Sequence, residues 1–390
     1  MKRQKWEEVK LINIAEIIMG QSPKSEFYND DGIGLPFYQG ITEFGELYPE
    51  VRKWCTIEKR KAEKGDILMT VRAPVGALNI ATERCIIGRG LCAIRSKEDN
   101  GRYLFYLLKA NEEYIRTYGS GTIYKSITKD SVHNLKFVIP NLKIQRKISD
   151  VLSLFDDLIE NNQKRIKILE EIAQLIYYEW FVKYRFPGYE EVPLVNSGTD
   201  FGLIPEGWEV AKVSEIIERL PAGKEYREKH LKKEGNVPVY DQSTKELLGF
   251  HNNKPDHFAS LEKPLILFGD HTCKMQMLIE PFSLGPNTIP FRSKQHQEFF
   301  IYYATKDLVR TREYKRHWNE FIVKEILVPN SKLSLIFTKY VSEYYSAISS
   351  FHKKNITLTK TRDLLLPKLI SGQIDVSEMD IKIKEEEKDV

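Results

Sequence analysis

The same succession of residues occurs twice along this chain. That duplication restricts the fold more than any other feature, because a repeated unit must bury and cap itself in the same way both times. Trp6-Glu7 returns as Trp208-Glu209, and Glu16-Ile17-Ile18 as Glu215-Ile216-Ile217. Leu35-Pro36-Phe37-Tyr38 returns as Val237-Pro238-Val239-Tyr240, and the apolar run around Ile67-Leu68-Met69 as Leu265-Ile266-Leu267. Arg95-Ser96-Lys97 matches Arg292-Ser293-Lys294, and Val138-Ile139-Pro140 matches Leu327-Val328-Pro329. The order is kept throughout, so the 390 residues are expected to divide into two related domains with connecting elements.

Each copy opens with short β-rich runs broken by Gly and Pro, such as Gly65 to Val71, which read as strands and turns. A helical pattern follows from Tyr103 to Tyr114, and again from Phe299 to Val309. Each copy closes on a strand ending in proline, after which a long helix begins. From Leu142 to Tyr184 there is no Pro or Gly, enough for a helix of roughly 60 Å at about 1.5 Å per residue. Ile148, Phe155, Leu169 and Ile176 fall on a seven-residue series interrupted by Asn162, flanked by Leu152, Ile159, Ile166, Ala173 and Trp180. The second copy offers Phe337, Tyr344, Phe351, Leu358 and Leu365, with Val341, Ile348 and Leu369 beside them; Pro367 is expected to end or kink that helix. Stripes this narrow call for a helix opposite, and the economical solution is an intramolecular antiparallel coiled coil; packing on the domains alone, or homodimerisation, is the alternative. The expected class is mixed α/β (α+β).

Composition narrows the function by exclusion. The net charge of +4 permits nucleic-acid contact without requiring it. Cys55, Cys85, Cys92 and Cys273 form no C-x-x-C pair and are expected to be reduced, half-buried side chains. His251, His257, His271 and Cys273 match no common zinc spacing, so no metal is expected. No apolar run is long enough to span a membrane, and Met1 to Trp6 leads into charged sequence, from which a cytoplasmic location is expected. There is no G-x-x-x-x-G-K-[ST] loop, Gly88-Arg89-Gly90 is too short for a dinucleotide fingerprint, and Asp156-Asp157 is not read as a chemical site.

Gly119-Ser120-Gly121-Thr122 before Val138-Ile139-Pro140, then Gln145-Arg146-Lys147-Ile148, Leu152 and Asp156-Asp157-Leu158-Ile159, carry a resemblance, as do Trp318-Asn319, Leu327-Val328-Pro329 and Leu366 to Gly372 in the second copy. With the duplicated layout, these make the chain similar to the specificity subunits of type I restriction-modification systems. The second copy departs from the first in having Ser334 where Gln145 aligns and no Gly-Ser-Gly before its last strand. The resemblance implies target-recognition domains at 1–141 and 206–330, spacer helices at 142–184 and 331–371, a linker at 185–205 and a charged tail at 372–390. It also implies a non-catalytic chain that reads a bipartite double-stranded DNA sequence. Two modification subunits would bring S-adenosylmethionine, and restriction subunits would bring ATP and Mg; this chain would bind no cofactor itself.

Base readout requires polar side chains at the major groove and cations at phosphates. In the first domain the candidates are Arg72, Arg89, Tyr118, Ser120, Thr122, Tyr124 and Lys125. In the second they are Gln242, Ser243 and Lys245, and the denser run Arg310, Arg312, Lys315, Arg316 and His317. Ordinary turns and a solvated helix face would leave the same pattern, and a coiled-coil scaffold that never touches DNA is the competing reading. Lengthening the first helix by about one turn near Asn161 is expected to lengthen the spacer between half-sites.

Overall fold

The computed structural model describes residues 6–119, 126–243, 247–311, 313 and 315–379. It divides into two units, 1–160 with 355–390, and 161–354. The dividing points lie within the two long helices, so each unit holds one globular domain and a stretch of both helices.

The units share one topology. In the first, an antiparallel sheet has the order Ala15–Met19, Leu91–Ser96, Ile67–Thr70, Leu78–Ile80; in the second the order is Ile217–Arg219, Thr288–Ser293, Leu265–Gly269, Met275–Leu278. Beside it, strand Leu35–Tyr38 runs parallel to Cys85–Ile87, and Val237–Tyr240 runs parallel to Ser283–Leu284. The opening strand of each unit pairs with the closing one, Glu7 opposite Ile139 and Glu209 opposite Val328. Helix Gly101–Ala110 in one unit and Glu298–Thr305 in the other contribute most of their side chains to the core, because both are apolar around most of their circumference.

Strand register corrects the sequence alignment at two places. Arg95 pairs with Glu16 and Arg292 with Glu218, so Glu16 corresponds to Glu218, and the match to Glu215 is displaced by three residues. Ile94 pairs with Ile67 and Phe291 with Ile266, so Ile67 corresponds to Ile266, one residue beyond the match made by apolarity. A run apolar at every position has no period of two to fix its register, whereas a slip of one turns each side chain to the other face. The repeated Arg-Ser-Lys has a local structural role. Arg95 Nε donates to Asp66 (2.7 Å) and Arg292 Nε to Glu218 (2.9 Å). Lys97 Nζ donates to the Ile12 carbonyl (2.7 Å), and Lys294 Nζ to those of Ser214 and Glu215 (both 3.0 Å), satisfying carbonyls at the end of the short helical turn in each unit. The serine hydroxyls accept backbone N–H groups of the turn that follows.

The long helices are Leu142–Tyr177, extended by a wider turn at Tyr178–Val182, and Ser331–Ile370. Within each unit the two stretches run antiparallel. In the first, Asp156 pairs with Arg362 while Lys147 Nζ reaches the carbonyls of Ser377 and Met379, both at 2.7 Å. In the second, Arg165 lies over Phe351, and Tyr177 and Trp180 each meet Phe337 at 6.2 Å between ring centroids. The expected packing row is only partly the deepest one. Ile148 and Phe337 are fully buried, but Phe155, Leu169, Ile176, Tyr344, Phe351, Leu358 and Leu365 are half-buried. The flanking Leu152, Ile159, Ile166, Ala173, Val341 and Ile348 lie deeper, because a row that carries several bulky rings fits better at the margin of the seam than at its centre. Asn162 is buried.

Other expectations are corrected as well. Of the two outcomes expected at Pro367, an end is excluded: the helix continues to Ile370, close to the expected limit at 371, since so near its end proline forfeits one hydrogen bond while Leu366, Leu369 and Ile370 are buried. The tail is docked at least to residue 379: Val376 is 1% exposed, and Lys147 Nζ donates to the carbonyls of Val376, Ser377 and Met379. The linker contains a hairpin, Leu194–Asn196 with Leu203–Pro205. All four cysteines are free and buried rather than half-buried.

Candidate nucleic-acid interface

Four loops meet in each unit, laced by the same backbone hydrogen bonds. In the first, Gly88 N–H donates to the Tyr38 carbonyl (2.8 Å), Val71 to Gly90 (2.8 Å) and Ile127 to Val71 (3.0 Å). In the second, Gly285 donates to Tyr240 (2.8 Å), Asp270 to Asn287 (2.9 Å) and His317 to Asp270 (2.8 Å). The crossing is tight at Gly90, where a Cβ would stand 2.2 Å from the Gln39 carbonyl oxygen, so glycine is required there.

The sequence candidates fall on these loops, but not all of them face solvent. Arg72 is exposed directly after strand Ile67–Thr70 and bridges to Ser126. Arg89 is exposed at the tip of the Gly88–Gly90 turn, its N–H bonded to Ser22 Oγ at 3.1 Å. Tyr118 is instead a packing residue: it is half-buried against the core, its ring edge-on to Tyr114 at 5.2 Å and its hydroxyl 3.0 Å from the Tyr114 hydroxyl. Ser120, Thr122, Tyr124, Lys125, Lys245 and Arg312 lie outside the described residues.

In the second unit Gln242 Oε1 accepts the His271 N–H (2.8 Å), and Ser243 Oγ donates to Asp241 (2.6 Å), so both side chains serve to shape the loop. Arg310, Lys315 and Arg316 are exposed. His317 is not a contact residue: it is 1% exposed, with Nδ1 facing Glu320 and Nε2 facing the Glu313 carbonyl, both at 3.2 Å. Its hydrogen bond holds the Glu320 carboxyl below the usual carboxylate range.

Asp270, which sequence reasoning missed, organises this cluster. Buried itself, it accepts the backbone N–H groups of His317 (3.1 Å) and Trp318 (3.0 Å) through Oδ1, and its Oδ2 lies 3.7 Å from Arg316. His271 and Thr272 follow it, and Thr311 Oγ1 reaches the His271 carbonyl at 3.3 Å. The available signal was position, since Asp270 stands after Gly269 as Val71 stands after Thr70. Exposed guanidinium groups on loops held this firmly can form paired hydrogen bonds to base edges or phosphates.

Among the described residues no group of three or more His, Cys, Asp or Glu is placed to hold a metal ion. His251 stacks on Tyr226 and His257 on Phe282. No helix among the described residues is long and apolar enough to cross a membrane.

A family model described as the type I restriction modification DNA specificity domain matches residues 3–171. The chain is 27% identical over 419 aligned positions to the type I restriction enzyme MjaIX specificity subunit of Methanocaldococcus jannaschii, covering 96% of this chain and 94% of that protein. Residues 3–171 match that domain family, and over nearly its whole length the chain is similar to a type I restriction-modification specificity subunit. A second relative, the putative MjaX specificity subunit of the same organism, is 39% identical over 175 residues, 44% of this chain; that alignment spans 41% of the relative's length. The crystal structure of the type I system S subunit from M. genitalium shares the fold, with a TM-score of 0.57, 16% identity, and coverage of 95% of this chain and 97% of that one.

Proposed function

We propose that this specificity subunit reads a bipartite double-stranded DNA sequence in the cytoplasm, one part with each loop cluster, and itself performs no chemistry. The observation that carries this reading is the repetition of the same laced loops in both units, each presenting exposed arginines: Arg72 and Arg89 in one, Arg310 and Arg316 in the other. S-adenosylmethionine-dependent adenine methylation would come from two modification subunits seated on the long helices, and ATP and Mg would enter with restriction subunits. Support for helix docking comes from apolar side chains turned outward from the seam, Leu154 and Leu158 in the first unit and Ile168, Ile172 and Leu175 in the second. Such a row on a solvated helix favours a covering partner.

The test is to map methylated adenines in DNA from cells expressing the chain with its modification subunit, against cells with the modification subunit alone. A bipartite motif appearing only with the chain is expected. Absence of any motif, with the two proteins co-purifying and the modification subunit binding its methyl donor, would favour a scaffold that does not read DNA.

A further inference from the structure

Beside the second unit's loop cluster lies an open depression of about 390 Å³, lined in part by Thr272, Lys274, Lys306, Asp307, Arg310 and Thr311. We propose that it is a pocket for a DNA backbone phosphate, built into the second reader and not the first. This rests on the reading that the loop clusters bind DNA.

The charge and the hydrogen-bonding groups argue for a phosphodiester. Three cations face one carboxylate, so the lining carries a net positive charge and its ammonium and guanidinium groups supply the donors. Lys306 stands just beyond helix Glu298–Thr305, and its contacts among the described residues are with the faces of Tyr302 (5.8 Å) and Tyr303 (5.2 Å), which leave its ammonium without a counter-charge. Arg310 is exposed and makes no ion pair among the described residues. The pocket is continuous with the loops: Thr272 Oγ1 donates to the Gln242 carbonyl (2.9 Å), Thr311 Oγ1 to that of His271 (3.3 Å), and Lys274 Nζ lies 3.4 Å from the Ser243 carbonyl.

The first unit gives the contrast. Lys109 is the counterpart of Lys306, counting from the paired Arg95 and Arg292. It is bound to Glu112 at 2.7 Å, and the same carboxylate takes Arg116 at 3.1 Å. One half-buried glutamate thus occupies both cations there, whereas in the second unit the corresponding charge is left for a ligand. A phosphate would displace counterions and add to affinity without reading a base.

The experiment measures binding of the full chain, assembled with its modification subunit, to a duplex carrying its methylated motif across a range of salt. Each phosphate contact contributes about 0.9 to the slope of log K against log salt. The double variant Lys306→Gln with Arg310→Gln is expected to flatten the slope by about 2 while the methylated motif stays the same. Lys109→Gln is expected to leave the slope unchanged, and Asp307→Asn to tighten binding. An unchanged slope in the double variant, beside salt-dependent wild-type binding, would overturn the pocket and leave DNA recognition standing. So would an altered motif, which would mean base contact, or an equal loss in Lys109→Gln, which would mean no asymmetry between the units. Wild-type protein with no salt-dependent binding would overturn the DNA reading and the pocket together.

Discussion

Replacing Arg362 by alanine removes the partner of a carboxylate that has little access to water. Asp156 and Arg362 have side-chain exposures of 5% and 16%, and the Tyr106 hydroxyl donates to the same carboxylate at 2.5 Å. Burial and the adjacent Asp156 push the Tyr106 hydroxyl well above the ordinary tyrosine range, so it stays a donor under all working conditions. With Arg362→Ala the carboxylate keeps one neutral donor and loses its counter-charge. Breaking a buried pair in this way costs about 3–5 kcal/mol. Replacing the whole cluster by apolar groups should recover most of that loss, because the charges no longer need desolvation. The compensating variant must include Tyr106→Phe, since an orphaned buried hydroxyl would itself cost about 1–3 kcal/mol. Denaturant titration followed by circular dichroism gives both numbers: Arg362→Ala is expected to lose about 3–5 kcal/mol, and Asp156→Leu/Arg362→Met/Tyr106→Phe to lie within about 1 kcal/mol of wild type. A loss below about 1 kcal/mol in Arg362→Ala, the behaviour of an exposed pair, would refute the reasoning. So would a triple variant as weak as the single one.

Two further outcomes follow from the placement of the candidate residues. His317→Ala is expected to lower stability by about 1–3 kcal/mol, through the lost ring and its hydrogen bonds, while the methylated motif is preserved; Arg316→Gln is expected to weaken DNA binding with little change in melting temperature. A motif altered by His317→Ala in a still-folded protein would contradict the assignment of that ring to the interior. Inserting four residues beside Asn161 is expected to lengthen the spacer between half-sites and keep both base sequences; changed bases at fixed spacing would contradict a ruler role for the helices.

Much of this architecture was legible in the sequence because the duplication marks it twice. Where two strands were apolar on both faces, as at Ile67 and Ile266, the sequence carried no phase, and only cross-strand pairing with Ile94 and Phe291 fixed the register. The helical stripe was visible, but a period of seven defines two adjacent rows without saying which is deeper. Tyr118 and His317 illustrate the limit for the candidate site: an aromatic or imidazole among cations reads the same whether its ring faces solvent or a core. Residues 372–379 were hidden by the charged sequence that follows, although Ile374 and Val376 are apolar and pack onto the first unit's core. Asp270 and Lys306 were missed because each acts through its neighbours in space, one on backbone donors more than forty residues ahead, the other through the absence of a glutamate that its counterpart possesses.

The central claim is that the two units read separate parts of the target. It is tested most directly by exchanging residues 206–330 for the corresponding segment of another specificity subunit and mapping methylated adenines in cells that also express the modification subunit. The account predicts that one half of the motif changes to that of the donor, while the other half and the spacer stay as they were. A motif that changes in both halves, or in neither, from a chimera that folds and supports methylation, would contradict it.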